Sequence, residues 1–279
     1  MKNKKYLVTG GSGYLGHELI KRLEKDGHNI RVVARNEGKL IELKEKFPDI
    51  EIVTGNIADP YTCQKVCSDI DGIFHLAAFK HVGLAEKENV RECVLSNIQG
   101  SLNLLEETRK NKTEFIVGIS SDKAAQVKGV YGATKFIMER LFAEYEVTNP
   151  NTKYRVVRYG NVLYSTGSVL CKWRDKLKEG KEVIVTDMDA TRFFWPVEEA
   201  VDLIFECLKN GKDSTPHVKP MKSIRIGDLL DAMMNKYGKS PIKIIGLQPG
   251  ENLQEVMHPD MPDSSQVERF TQEEIMRMI

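Results

Sequence analysis

Directly after a short apolar run, Tyr6 to Val8, the chain reads Gly10-Gly11-Ser12-Gly13-Tyr14-Leu15-Gly16, and then enters a segment whose apolar residues Leu15, Leu19 and Leu23 recur at helical spacing. With 21 glycines in 279 residues, three at this spacing arise by chance about 0.1 times. The strand-turn-helix setting makes the coincidence rarer still. Gly10 permits the tight turn, Gly13 lets backbone N–H groups approach a pyrophosphate at the helix N-terminus, and Gly16 lets helix and strand pack closely. The motif predicts the opening βαβ unit of a parallel sheet, with a dinucleotide seated on it.

The rest of the chain supports that start. Short β-branched runs alternate with helical patterns over the first 160 residues, as in a parallel sheet covered on both faces. Strands are expected at Tyr6 to Val8, Ile30 to Ala34, Glu51 to Val53, Gly72 to Leu76, Glu114 to Ile119 and Tyr154 to Arg158. One long helix carries Val94, Ile98, Leu102 and Leu105 on its apolar stripe, and another carries Ile137, Leu141 and Tyr145. Beyond Tyr159 the crossovers become irregular: helices at Val169 to Lys178, Val197 to Leu208 and Ile226 to Tyr237, strands at Val183 to Thr186 and Ile242 to Ile245. The fold class is therefore α/β, a doubly wound parallel sheet over residues 1–165 with 192–212 packing back on it. Residues 166–191 and 213–279 form a smaller substrate-binding lobe over the carboxyl ends of the strands.

Charge excludes some partners. The 41 basic and 40 acidic residues leave a net +1 without long runs of one sign, so no nucleic-acid surface is expected. The five cysteines, Cys63, Cys67, Cys93, Cys171 and Cys207, include no C-x-x-C pair; no metal site is expected, and a reducing cytoplasm suits them. No apolar stretch reaches the ~18 residues of a membrane span. The basic start, Met1-Lys2-Asn3-Lys4-Lys5, runs into the Gly-rich turn and not into a signal-peptide core. The reading is a soluble cytoplasmic protein with no membrane partner.

Two further features carry chemistry. An NAD enzyme usually places an acid at the end of the second strand to hold the ribose 2′-hydroxyl, but here Val33 is followed by Ala34-Arg35-Asn36. Arg35, helped by Lys39, is suited to a 2′-phosphate, so NADP is the expected cofactor. Tyr131-x-x-x-Lys135 sits at an expected helix start, where positions four apart share a face, so that the ammonium can lower the phenol pKa and hold the nicotinamide ribose. Tyr61-x-x-x-Lys65 has the same spacing. Position separates them: Tyr131 follows the fifth strand, whose end carries Ser120-Ser121-Asp122-Lys123, and Tyr61 follows no polar cluster.

With these residues in view the chain resembles the extended short-chain dehydrogenase/reductases, a Rossmann-type fold, and among them the UDP-N-acetylglucosamine 4,6-dehydratases of polysaccharide biosynthesis. The matching stretches are Val8 through Gly16, His75 through Val82, Ser121 through Ala125, Tyr131 through Lys135, Arg158 through Leu163, Thr191 through Phe194 and Pro249-Gly250-Glu251. Asp122-Lys123 is the most discriminating pair, since similar dehydratases of sugars without an acetamido group carry Asp-Glu there. The short gap from Ser121 to Tyr131 separates the chain from the sugar 4-epimerases.

The resemblance implies a redox-neutral lyase. Tyr131 takes the proton from the sugar C4 hydroxyl as hydride leaves for NADP, and Ser121 holds the same oxygen. The resulting ketone acidifies C5–H, Lys123 takes that proton, Asp122 protonates the departing C6 hydroxyl, and the hydride returns to C6. Lys123 must then be neutral, which desolvation and the cation Lys135 favour, and Asp122 protonated, which a dry pocket favours. Expected cofactor contacts are Gly10, Ser12, Gly13, Tyr14, Leu15 and Gly16 in the turn, Arg35 and Asn36, Asn56 and Ile57, Ala77, Ala78 and Lys80, with Tyr131 and Lys135. Around a UDP-sugar the resemblance implies Lys80, Asn161, Arg192 and Glu251, and Arg192 has the planar fork that suits a diphosphate. Relatives pair through the helices after the fourth and fifth strands, which implies a homo-oligomer. Ser121 stands where the family usually has Thr, Gln126-Val127-Lys128-Gly129 replaces its usual loop before Tyr131, and the relatives' membrane-spanning segments are missing from this sequence. Two other readings use fewer of these residues: a nucleotide-sugar 4-epimerase or 4-keto reductase needs only Tyr131 and Lys135, and a non-catalytic NADP-binding scaffold needs neither.

Overall fold

A computed structural model describes residues 4–279. Six strands form one parallel sheet: β1 Lys5–Thr9, β2 Asn29–Ala34, β3 Glu51–Thr54, β4 Gly72–His75, β5 Phe115–Ile119 and β6 Lys153–Val157. Their order is β3-β2-β1-β4-β5-β6. Val8 lies between Val32 of β2 and Phe74 of β4. The strand order reverses between β1 and β4, and the crevice at their carboxyl ends is where an open sheet of this kind receives ligands.

Successive side chains alternate between two buried layers, as the pleat requires. Tyr6, Val8, Val32, Phe74 and Val117 face one side, against Leu19, Ile20 and Leu23 of α1 (Tyr14–Lys25), Leu40 and Leu43 of α2 (Glu37–Lys46), and Ala200, Val201 and Ile204 of α9 (Val197–Asn210). Leu7, Val33, Ile73, Ile116 and Val156 face the other, against α3 (Pro60–Cys67), α6 (Gly100–Lys110) and α7 (Val130–Thr148). At about 1.5–3 kcal/mol for each fully buried large side chain, these layers hold the sheet rigid beneath the site.

A third cluster builds the outer lobe from Leu170, Trp173 and Leu177 of α8 (Val169–Lys178), Val183 and Val185 of β8 (Val183–Val185), and Leu229, Leu230 and Met233 of α10 (Ile226–Tyr237). Here β8 pairs in parallel with β11 (Ile242–Ile244). A three-stranded sheet, β10-β9-β7, joins Ser223–Arg225, Thr191–Trp195 and Asn161–Val162. These three strands are not among the expected ones. The central strand, β9, is buried at every position, so it lacks the alternation that marks a half-exposed strand. The helix α11 (Gln272–Met278) was also not expected; its start is fixed by a capping box between Thr271 and Glu274.

Of the two expected helical stripes, Leu105 and Tyr145 are buried and Leu102 and Leu141 pack against the same core, while Val94 and Ile137 are exposed. After β4 the chain forms α4 (Val82–Lys87) and α5 (Val90–Val94), then one wide π-helical turn, Leu95–Gln99, before α6. Cys93 before that turn, Asn97 within it and Ser101 after it are buried, while Val94 is exposed. In α7 the inward residues are Thr134, Lys135, Met138, Phe142 and Tyr145, and Ile137 is exposed. In both helices polar residues of the site take inward positions, which an apolar periodicity does not register.

Candidate active site

The glycine turn is a tightly fitted cradle. Gly10 has φ +68°, and a Cβ there would lie 2.8 Å from the backbone of Ala77. A Cβ on Gly16 would run into the backbone of Gly11. The turn is closed by Gly10 N–H donating to Val33 O (2.9 Å) and Gly13 N–H donating to Gly10 O (3.0 Å). Gly13 is the N-cap of α1; among the described residues no side chain caps this start, and its first turn holds no acid. Backbone donors and the positive end of the helix dipole are thus left for an anion, with Ser12, Tyr14 and Leu15 at the opening.

The neighbouring strand ends complete the cleft. Arg35 and Asn36 are exposed just past β2, and Asn36 caps α2 by accepting Lys39 N–H at 2.9 Å. Past β3, Asn56 accepts Ala58 N–H at 3.1 Å, while Ile57 is buried and its carbonyl accepts from Asn103 at 2.9 Å. Past β4, Ala77 and Ala78 are half-buried and Lys80 stands exposed.

A buried polar chain fixes that last segment. Thr9 Oγ1 accepts Ala77 N–H (3.1 Å) and meets His75 Nδ1 (2.9 Å); His75 Nε2 meets Ser101 Oγ (2.9 Å), which donates to Asn97 O (2.7 Å). Since the Ser101 proton is spent on Asn97, His75 must donate through Nε2 and accept from Thr9 through Nδ1. Burial, with the charge of Lys135 adding to it, pushes the His75 pKa down to about 3, so the ring is neutral. Asn97 clamps Phe79, accepting its N–H (2.7 Å) and donating to its carbonyl (3.0 Å), and also donates to Thr134 of α7 (3.0 Å). Thr9, His75, Asn97 and Ser101 thereby lock the β4 loop to the helix bearing Tyr131.

The reactive groups emerge from the end of β5. Ser121 opens a 3₁₀ turn, Asp122–Ala124. Its hydroxyl donates to Asp122 Oδ1 at 2.7 Å and accepts Lys123 N–H at 3.3 Å. Asp122 is buried; Oδ1 also accepts Lys123 N–H (2.9 Å), and Oδ2 accepts from Lys123 Nζ (3.2 Å). Tyr131 and Lys135 sit one turn apart at the start of α7, whose first N–H, at Val130, is capped by Glu86 at 2.6 Å. Removal from water raises the Tyr131 phenol pKa, with the Ser121 hydroxyl opposing it. Lys135 Nζ donates to Ile119 O at 2.6 Å, and burial lowers its pKa to about 8. The lowering of the phenol pKa expected from Lys135 is not what the structure shows: removal from water dominates and disfavours the phenolate, the charge of Asp122 adds to it, and only the Ser121 hydroxyl opposes. Of the rival pair, Tyr61 is 72% exposed.

Lys123 has a neighbour that motif reading missed. Its side chain is 13% exposed, with Nζ 2.7 Å from Glu255 Oε1. Glu255 is fully buried, accepts from Asn252 (3.2 Å), and lies 3.6 Å from Arg192 Nε. Burial first, then the charge of Asp122, raises the Glu255 pKa, with Lys123 and Arg192 opposing. The charged groups beside Lys123 Nζ are thus two carboxylates, where a neighbouring cation was expected. Glu255 follows Glu251 by four residues, and that proximity was its one signal. Glu251 itself spends its carboxylate on Gln248 N–H (2.9 Å). Arg192 donates to the carbonyls of Thr191 (2.8 Å) and Leu253 (3.1 Å), and the exposed Asn161 donates to Phe193 O (3.2 Å). The structure joins Ser121, Asp122 and Lys123 by hydrogen bonds, and Arg192 to them through Glu255; Tyr131 stands near enough for Ser121 and Asp122 to act on its pKa.

Residues 6–278 match the family described as polysaccharide biosynthesis protein. An uncharacterized membrane protein of Methanocaldococcus jannaschii is 38% identical over 91% of this chain and 80% of its own length. A UDP-N-acetylglucosamine 4,6-dehydratase (inverting) of Campylobacter jejuni is 35% identical over 92% of the chain and 78% of its own length. A UDP-glucose 4-epimerase of Rickettsia canadensis is 30% identical over 89% and 76%. Among solved structures, Pen from Bacillus thuringiensis superposes with a TM-score of 0.94 at 28% identity, covering 99% of this chain and 96% of that one. The fold, the polar groups gathered at the ends of β4 and β5, and the match over nearly all the chain lead to one assignment: this protein belongs to the polysaccharide biosynthesis family of extended short-chain dehydrogenase/reductases, beside its UDP-N-acetylglucosamine 4,6-dehydratases.

Proposed function

We propose that the chain is a nicotinamide-dependent enzyme of UDP-sugars, and specifically an NADP-dependent lyase that converts UDP-N-acetylglucosamine to a UDP-4-keto-6-deoxy-N-acetylhexosamine. The observation that carries the reading is the seating of Lys123: its amine is largely withdrawn from water, on the same short turn as Asp122 and Ser121 and beside Tyr131. A simple oxidoreductase has no use for a second acid and base there.

The cradle fits the cofactor, because Gly10 and Gly16 leave no room for side chains and the start of α1 is uncapped. When bound, the nicotinamide supplies a reversible acceptor for hydride, taken from C4 and returned to C6. Gly10, Gly13 and the first turn of α1 hold its pyrophosphate, Arg35 its 2′-phosphate, and Lys135 its ribose. Tyr131 and Ser121 hold the sugar's O4, Lys123 in its neutral amine form removes the C5 proton, and Asp122 in its protonated form delivers a proton to the departing O6. Arg192, Asn161, Lys80 and Glu251 line the UDP-sugar side. The exposed apolar residues Val90 and Val94 on α5, with Phe136 and Ile137 on α7, support pairing of two copies through these helices. No helix among the described residues is long and apolar enough to cross a membrane, which supports a cytoplasmic enzyme.

The test is product analysis. Incubation with UDP-N-acetylglucosamine is expected to give loss of one water by mass spectrometry, and Lys123→Ala is expected to bind NADP yet lose solvent-deuterium exchange at C5. The kinship with a protein named UDP-glucose 4-epimerase supports a second reading, 4-epimerisation, for which substrate mass would stay unchanged. Preserved C5 exchange in Lys123→Ala would overturn the dehydratase reading.

A further inference from the structure

The C5 step asks for Lys123 as a free amine, and its neighbours decide where the extra proton goes. Two carboxylate oxygens adjoin Nζ: Glu255 Oε1 at 2.7 Å and Asp122 Oδ2 at 3.2 Å. Asp122 has to keep a proton for O6, and its other oxygen accepts Ser121 O–H (2.7 Å) and Lys123 N–H (2.9 Å), which support its charged form. Glu255 is placed differently. Its side chain is wholly buried, Oε2 accepts from Asn252 (3.2 Å), and Oε1 accepts no aligned hydrogen bond. The charged groups facing it among the described residues are Asp122 and Lys123, from the turn after β5, and Arg192 of β9, whose Nε lies 3.6 Å from the same Oε1.

The backbone at Glu255 is tied to β9. Its N–H donates to Ser264 Oγ (2.8 Å), its carbonyl accepts Ser264 N–H (2.8 Å), and Ser264 Oγ donates to Thr191 O (3.1 Å). A carboxylate withdrawn from water and short of donors is poorly supported in its charged form. Burial accordingly raises the Glu255 pKa, and the charge of Asp122 adds to this.

We propose that Glu255 takes the ammonium proton of Lys123 and so frees the amine that removes the C5 proton. This rests on the dehydratase reading above. The Nζ–H bond breaks, its electron pair stays on nitrogen, and the proton bonds to Glu255 Oε1. The amine then takes the C5 proton, the C5–H pair becomes the C5–C6 double bond, and O6 leaves as water with a proton from Asp122. The exchange closes when the ammonium gives up one proton, to C5 or to water, and Glu255 returns its own to the amine. In water such a transfer is uphill by about six powers of ten, the gap between an ordinary lysine and an ordinary glutamic acid. Burial narrows it from both sides, because the transfer discharges two ions that water no longer solvates. Glu255 thus acts through Lys123, as a positioning residue.

A single turnover of NADP-loaded protein with UDP-N-acetylglucosamine tests this, with reduced nicotinamide followed by its absorbance. It forms in the oxidation and decays as hydride reaches C6, after C5 has lost its proton. Glu255→Gln keeps the shape but cannot take the proton. It is expected to bind NADP by calorimetry and to form reduced nicotinamide as fast as the wild type, but to slow the decay ~100-fold or more at neutral pH, the scale of a lost acid–base group. The ammonium proton must then go to solvent, so the ratio of wild-type to variant decay is expected to shrink about tenfold per pH unit on raising the pH. Taking the ratio cancels groups common to both proteins, Lys135 among them. Glu255→Asp keeps an acceptor, and its ratio is expected to stay constant with pH. If Glu255 only holds the ammonium, removing its charge makes the proton easier to lose, and Glu255→Gln decays as fast as the wild type or faster. If it only shapes the turn, the deficit of Glu255→Gln is the same at every pH. Either result overturns the proposal, and so does a ratio for Glu255→Asp that falls with pH. Water release by the wild type beside an unimpaired Glu255→Gln leaves the dehydratase reading intact; a wild type that releases no water overturns that reading, and the role of Glu255 with it.

Discussion

The turn bearing Ser121, Asp122 and Lys123 is held from behind by one buried ion pair, and its removal gives a measurable outcome. Arg158 donates to Glu139 through Nε (3.0 Å) and through its terminal nitrogen (2.6 Å), and gives a third bond to Met257 O (2.6 Å). Both side chains are almost fully buried, and the hydroxyl of Ser120 also donates to Glu139. One carboxylate therefore ties α7, the ends of β5 and β6, and the segment after Glu255. Glu139→Ala leaves the Arg158 guanidinium buried without its counter-charge, which costs about 3–5 kcal/mol. At roughly 2 °C per kcal/mol, the low end for chains of 150–250 residues and suited to a slightly longer one, the melting temperature should fall by about 6–10 °C. Replacing both partners, Glu139→Leu with Arg158→Met, removes the stranded charge and is expected to recover most of that loss. Scanning calorimetry on the three proteins decides the matter. A fall below about 2 °C in the single variant, or a double variant no better than the single, would refute the reasoning that desolvation dominates at this site.

Other outcomes follow from the same geometry. Arg35→Ala is expected to weaken NADP binding about tenfold or more while leaving NAD nearly unaffected, since a charge-assisted contact to the 2′-phosphate is all that is lost; equal losses for both cofactors by calorimetry would sink the Arg35 assignment. His75 is neutral in the fold with a pKa of about 3 against an ordinary 6.5. The unfolded chain therefore binds the extra proton below about pH 6.5, and stability is lost as pH falls from there towards 3. Between pH 7 and pH 5 the wild type should lose about 2 kcal/mol more than His75→Gln, read from urea midpoints; parallel losses in the two proteins would argue against a buried neutral ring.

Local constraints were legible in the chain because they are enforced within a few residues. The turn from Gly10 to Gly16 admits no side chain where it meets Ala77 and Gly11, and the pleat forces the alternation of Leu7 with Tyr6 and Val8. Ser121, Asp122, Lys123, Tyr131 and Lys135 were equally visible, being confined to one strand end and the helix that follows. Other features depend on contacts between distant segments. The inward faces of the π-helical turn, α6 and α7 carry Asn97, Ser101, Thr134 and Lys135 because those groups find partners across the β4 and β5 loops, and a periodicity of apolar residues is blind to that. The strand β9 was hidden because burial on both faces erases alternation.

Residue types and short spacings thus determined the sheet, the glycine cradle and which polar groups were candidates for the site. Only the tertiary structure decided their protonation chemistry. It placed Glu255 against Lys123 from 132 positions away in the chain, turned Ser121 towards Asp122, and left Tyr131 half-buried. The physical reason is that desolvation and charge act through space, and their strength is set by which groups the packed core excludes from water together.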